Sequence, residues 1–316
     1  MDYIKYIDKF ETAEDVQTAI DNGELNKPYV AQVSGDGYNY IDWNSLEPTP
    51  PLSAQPLTFE IISGGTIMWT AENVYGGEPK ELHYSKNGGS WETIYSSTGG
   101  TPINVVAGDE VRVKANGIEG SEIVDRRSSF NGSTSYFNLR GNIASMLDED
   151  NYQNLTVLER NMSRLRYLFQ GTFVVDASNL VLPFTVFRNG SAYYQLFAGC
   201  NKLVAAPEIP AAVFESDQVT TSSIYSYMFS GCTALTRAPK LPTRTLCDYC
   251  YNSIFQGCTN LNYVECLADT TTGYRPFDNW LSGVAASGTF VKHPDATWES
   301  GVSGIPNGWT VINADI

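Results

Sequence analysis

The sequence predicts a mixed, multi-domain fold: a small α+β N-terminal anchor, then an Ig-like β-sandwich, then a C-terminal solenoid. Three observations predict it. A Phe-x-Gly-Cys-x-x-Leu pattern occurs as Phe197, Gly199, Cys200, Leu203, as Phe229, Gly231, Cys232, Leu235, and as Phe255, Gly257, Cys258, Leu261. The copies lie 32 and 26 residues apart, and a degraded copy, Phe169-Gln-Gly171-Thr172, precedes the first by 28. Self-similarity at this period marks units that bury their apolar faces by stacking on each other. Residues 57–124 read as short alternating strands, and a proline-rich run sets them apart from the leader.

Taken in order, residues 1–47 carry helix signals: Thr12 as N-cap with Asp15 three residues on, an apolar face of Val16, Ala19 and Ile20, and Gly23 at the C′ position. Pro28-Tyr29-Val30-Ala-Gln-Val33 and Tyr38-Asn-Tyr-Ile41-Asp-Trp43 then read as a hairpin around Ser34-Gly-Asp-Gly37. A unit this small holds only a marginal core, so it gains stability by docking or by pairing with copies of itself. Residues 48–56 complete a stretch with four prolines in twelve residues (45–56), a semi-rigid linker.

From Leu57, the runs Ile67-Met-Trp69, Leu82-His-Tyr84, Trp91-Glu-Thr-Ile94, Ile103-Asn-Val105 and Val111-Arg-Val113 alternate with Gly-rich turns. Such spacing predicts an antiparallel sandwich of Ig-like type over 57–124. Residues 125–316 form the repeat region. Asn142–Leu147 is expected to open it as a short helix. Leu246, Cys250 and Ile254 fall at i, i+4 and i+8, which predicts one face of a helix within each unit. The tail, with Phe290, Trp298 and Trp309, is expected to cap the last repeat.

The formal net charge of −15 and pI near 4.5 argue against nucleic acid or an anionic membrane as a partner, since both would repel this chain. The N-terminus lacks the basic start and apolar core of a secretory signal, and no stretch approaches the roughly 18–20 apolar residues of a membrane span. Neither export by the usual route nor membrane insertion is expected.

All six cysteines fall in the repeat half. Cys247 and Cys250 form a Cys-x-x-Cys, the spacing of a redox pair or half a zinc site. No second pair accompanies it, and His83 and His293 are far off in sequence. A small buried side chain at a repeated stacking position is the better-supported reading, with no metal and no cofactor. The chain has no nucleophile elbow, phosphate loop or zinc-protease motif, so no catalytic residue is assigned. Asp148-Glu149-Asp150 is the densest acidic cluster, but it lacks the ligand alternation of a calcium loop. Of the 19 tyrosines and six tryptophans, Tyr194, Tyr227, Trp69 and Trp91 are expected in the core. Any exposed rings would suit a glycan.

The repeat Tyr225-Ser-Tyr-Met-Phe229-Ser-Gly231-Cys232-Thr-Ala-Leu235, continuing Leu246 to Leu261, resembles BspA-like leucine-rich repeats. These are common in surface proteins of gut Bacteroidetes and in their phages. The tail Phe290-Val-Lys-His-Pro294 with Gly304-Ile-Pro-Asn-Gly-Trp309 looks like the ending of such arrays. Thr172 in place of the cysteine and the insert 215–221 depart from the pattern. The leader, with Lys27-Pro-Tyr-Val-Ala31 and Ile41-Asp-Trp-Asn44, is similar to N-terminal segments of tailed-phage virion proteins.

The resemblance implies a leucine-rich-repeat solenoid and a non-enzymatic virion protein, a head fibre or capsid decoration, assembled in the bacterial cytoplasm. Pro28, Tyr29, Val30, Ile41 and Trp43 would attach it to other virion proteins or to sister subunits, as a homo-oligomer. The repeats would bind a host surface protein or glycan. A tail-associated receptor-binding protein, a bacterial surface adhesin and a glycan-active enzyme are the alternatives.

Overall fold

A computed structural model describes residues 50–71, 81–117, 128–159, 165–188, 190–215 and 222–316. The chain divides into two units, 1–51 and 52–316. The helix and hairpin expected of the leader, with Pro28, Tyr29, Val30, Ile41 and Trp43, fall outside the described residues.

The second unit begins with strands β1 (Leu57–Ile61), β2 (Gly65–Ala71), β3 (Glu81–Lys86), β4 (Glu92–Tyr95), β5 (Thr101–Val105), β6 (Glu110–Lys114), β7 (Ser128–Ser129) and β8 (Tyr136–Asn142). Short strands β9 (Val157–Leu158), β10 (Phe173–Val174), β11 (Asn179–Val181), β12 (Val186–Phe187) and β13 (Val213–Phe214) follow, then β14 (Tyr263–Cys266), β15 (Thr289–Lys292) and β16 (Thr310–Asn313). One sheet runs β10-β8-β1-β6-β3-β4, with β11 also on β8, and a second runs β5-β2-β7. Both pack on aromatic rings. Phe130 lies 4.7 Å from Phe59 of β1 and 5.1 Å from Trp69 of β2.

The expected fold class is overturned. The described residues contain no α-helix, only 3-10 turns at Leu52–Ala54, Ile143–Met146 and Tyr152–Asn154, so the chain is almost all β rather than a mixed fold with an α+β anchor. Among the described residues there is neither an isolated Ig-like sandwich nor a helix-bearing leucine-rich-repeat solenoid. The first sheet is completed by β8, which pairs antiparallel with β1 (Phe59 opposite Leu139) and parallel with β10 and β11, so its ladder crosses position 125. Gly141 permits this closure. Its φ is +82°, and a Cβ there would collide with the backbone of Pro56.

The segment around Leu246, Cys250 and Ile254 forms consecutive tight turns for a specific reason. Positive φ recurs every fourth residue, at Tyr249, Ser253 and Gly257, and likewise at Ser191, Gln195, Gly199 and at Ser223, Tyr227, Gly231. Each left-handed residue ends the right-handed run before an α-helix can propagate. Alternate amides close turns on residue i−3, as from Ile254 to Tyr251 (3.1 Å). The others reach the next coil: Tyr193 to Ile224, Gln195 to Ser226, Phe197 to Met228 and Gly199 to Ser230, at 2.7–3.1 Å. A four-residue turn period keeps the i, i+4, i+8 apolar face that was expected of a helix. At the array's entry, Ile143–Met146 forms one 3-10 turn, whose Ala144 amide is capped by the Asn142 side chain at 2.9 Å.

Stacked coils bury their apolar residues in a single cluster continuous with that of the sheets. Phe169, Phe197, Phe229 and Phe255 form a ring ladder spaced 5.3, 5.6 and 5.7 Å, with Phe229 within 1° of parallel to Phe197. A second ladder passes through the buried Tyr193, Tyr225 and Tyr251. Burying a ring of this size contributes about 1.5–3 kcal/mol, and each ring contact adds roughly 0.5–1.5 kcal/mol. Tyr194 and Tyr227, expected in the core, are half-buried in a third ladder with Tyr167. Trp69 is buried, whereas Trp91 is 46% exposed beneath the Lys114 ammonium.

Candidate binding groove

The motif residues lie in the interior. Phe197, Phe229, Phe255, Cys200, Cys232, Cys258, Leu203, Leu235 and Leu261 are all fully buried. Gly199, Gly231 and Gly257 share φ of +75°, the value that turns each coil. The cysteines form a ladder of their own. The thiols of Cys200, Cys232 and Cys258 donate to the carbonyls of Phe169, Phe197 and Phe229 in the preceding coil at 3.0, 3.2 and 3.0 Å. Burial pushes the Cys200 and Cys258 thiols up to about 12 and that of Cys232 well above its ordinary value. Thr172, at the cysteine position of the degraded copy, donates instead to Phe169 of its own coil at 2.8 Å. Cys247 and Cys250 are buried free thiols.

After each leucine the chain runs extended, and here the coils differ. Val204 donates to Val175 and Ala177 to Ala205, at 2.8 and 2.9 Å. Ala238 donates to Tyr263, Leu241 to Glu265 and Leu267 to Leu241, all at 2.9 Å. No backbone hydrogen bond joins 203–210 to 235–242, although these two coils are laddered on the turn side. Proline is the local cause. Pro207, Pro210, Pro239 and Pro242 have no amide hydrogen and fix φ, so neither segment can complete a ladder against the other.

Two contiguous depressions follow this open seam, and a third adjoins them on the far side of 208–210. The first, about 330 Å³, lies between Val204–Ala206 and Arg237–Lys240, with Tyr263 and Glu265. A second of about 250 Å³ continues past Pro207, Glu208 and Ile209. The third, about 270 Å³, ends at Leu52 and Leu180. Small residues and prolines floor the groove. The Arg237 guanidinium is held 3.5 Å from the Tyr263 ring centroid, which fixes its plane while leaving its donors exposed. Lys240 is paired with Glu265 at 2.8 Å. The groove thus offers a trough floored by small residues and prolines, and one oriented cation.

Asp148 and Glu149 of the acidic cluster are committed to structure. Asp148 accepts from the Asp150 and Asn151 amides at 3.1 and 2.9 Å, and Glu149 holds His83 Nδ1 at 2.8 Å. No group of three or more His, Cys, Asp or Glu is placed to hold a metal among the described residues, and no described helix is long and apolar enough to cross a membrane. Comparison with family models, curated proteins and solved structures finds no match.

The expected repeat-motif residues supply the interior of the stack, and the groove arises from residues the repeat motif does not contain. Its signal was nonetheless in the chain: Ala206-Pro207-Glu208-Ile209-Pro210 recurs 32 residues later as Ala238-Pro239-Lys240-Leu241-Pro242.

Proposed function

We propose that this chain is a non-enzymatic virion structural protein of the head-fibre or capsid-decoration kind, whose groove captures an extended segment of a host surface protein. The open seam between 203–210 and 235–242 carries this reading, because a trough floored by small residues and prolines beside one exposed cation suits an extended chain. Arg237, planar and pre-oriented on Tyr263, suits a carboxylate on that chain. A shallow groove of this kind gives weak single contacts, and many copies on one particle multiply them into firm adhesion. The repeat motif's similarity to surface and phage repeats supports the same assignment.

The test is adhesion of the full-length protein to host cells, compared with Arg237→Glu and with Ala206→Trp, which fills the trough. Both variants are expected to lose at least about tenfold in binding, the equivalent of roughly 1.4 kcal/mol, with unchanged circular dichroism. Undiminished adhesion by both variants would remove the groove from the function. Absence of the protein from purified particles would remove the virion assignment.

A further inference from the structure

We propose that β16 is a self-association edge through which two copies pair antiparallel about a two-fold axis at Ile312. The three-stranded parallel sheet β14-β15-β16 ends on β16, whose four residues are all exposed, with Val311 and Ile312 at 44% and 47%. Sheet edges are usually protected by a charge, a proline or extreme shortness. The other described edges follow that rule: β4 has Glu92, β5 has Pro102, and β7, β9, β10 and β13 are two residues long and β11 three. The segment 236–241 bonds to β14 on its far side. Thr310-Val311-Ile312-Asn313 has none of these devices.

A second copy fits this edge on charge grounds. In a chain of net charge −15, most surfaces repel their own kind, and this strand is neutral. Lys292, across the ladder from Asn313, spends its ammonium on the carbonyls of His293, Pro294 and Ala296 at 2.9–3.2 Å. In the two-fold arrangement the Asp315 carboxylates lie on opposite sides of the axis. At about 3.4 Å per residue they are roughly 20 Å apart, beyond the screening length at physiological salt.

The register follows from the existing ladder. Thr310 donates to Gly288 and Ala314 to Lys292, both at 2.8 Å, so residues 310, 312 and 314 face β15. In a parallel ladder the intervening residues, Val311 and Asn313, direct their amides and carbonyls outward. Val311 can therefore exchange both hydrogen bonds with Asn313 of the second copy, and Asn313 with its Val311. Ile312 then faces itself in the close, non-hydrogen-bonded position, with Cα atoms about 4.5 Å apart. The pairing stands apart from the groove and does not depend on what the groove binds.

Two measurements on the full-length chain test it. Ile312→Cys brings two new thiols within disulfide reach across the axis, while the native thiols are buried. Under mild oxidation it is expected to crosslink about a hundredfold faster than the exposed control Val302→Cys, because association replaces micromolar collision with a millimolar effective concentration. Adding Val311→Pro, which removes an outward amide that an edge strand can spare, is expected to return crosslinking to the control rate. Ile312→Lys, placing like charges directly opposite each other, is expected to halve the mass seen by light scattering. Equal crosslinking at the two positions, or an unchanged mass in the lysine variant, would overturn the proposal.

Discussion

The thiol of Cys232 donates to the carbonyl oxygen of Phe197 across the coil interface, at 3.2 Å. Because that carbonyl also accepts the Cys200 amide of its own coil at 3.0 Å, one acceptor joins a turn to its neighbour. The repeated Phe and Cys of the motif are thus two ends of the same hydrogen bond, one coil apart.

Removing the thiol tests this link. Cys232→Ala deletes a fully buried sulfur and its donor and is expected to cost about 1–2 kcal/mol. Cys232→Thr should cost less, because Thr172 satisfies a buried hydroxyl at the matching position through its own Phe169 carbonyl. Urea denaturation of the two variants reads the difference; equal losses would show that the donor contributes nothing beyond volume.

The thiols also make a chemical prediction. Burial holds Cys200, Cys258 and Cys266 near 12 and raises Cys232 and Cys250 well above the ordinary thiol value. With almost no thiolate at neutral pH, these five should resist a disulfide reagent in the folded protein. All six cysteines should titrate after unfolding in denaturant without reductant. A shortfall of two would reveal a disulfide, contrary to the six free thiols of the structure.

Acid and base act on the two ends of the first sheet. The Asp109 carboxyl is lowered to about 2, first by the Asn87 side chain at 2.8 Å, then by the Val106 amide and Lys86. Its contribution is present above the unfolded value near 4 and is lost as pH falls through about 2. His83 is raised, first by its hydrogen bond to Glu81 and also by Glu149, both at 2.8 Å. A raised value contributes fully below the unfolded pKa near 6.5 and fades as pH rises through the folded one. Melting temperature should therefore drop below pH 4 in the parent and less in Asp109→Asn. The gap between parent and His83→Gln should be wide at pH 5.5 and narrow at pH 9. A gap independent of pH would refute the histidine's role.

What could be read from the chain followed from side-chain period, and what was missed followed from backbone pairing. Phe197, Phe229 and Phe255 announce stacking because each ring requires an equivalent ring above it. The i, i+4, i+8 row of Leu246, Cys250 and Ile254 could not distinguish an α-helix from turns of period four. That choice was made by left-handed residues such as Tyr249 and Ser253, which carry no sequence mark of that conformation. The boundary near 125 hid a strand, β8, whose partners lie on both sides of it. The groove was legible only in the repeated Ala-Pro-x-x-Pro, since an absent ladder is recorded by prolines and by no apolar period.

The middle of the ring ladder is where the stack should be most sensitive. Phe229 is fully buried between Phe197 at 5.6 Å and Phe255 at 5.7 Å, so its removal leaves a void facing two coils. Phe229→Ala is expected to cost about 3–5 kcal/mol, and Phe229→Leu roughly 1–2 kcal/mol, because much of the volume is refilled while both ring contacts are lost. In an array where each unit leans on its neighbours, the damage should decay with distance. Hydrogen exchange of Phe229→Leu should accelerate at the amides of Phe197 and Phe229, which bridge to Met228 and Ile254, and leave the β1–β6 ladder protected. Uniform acceleration through both sheets would instead mean that the continuous core makes residues 52–316 a single cooperative unit, with opening limited by global unfolding.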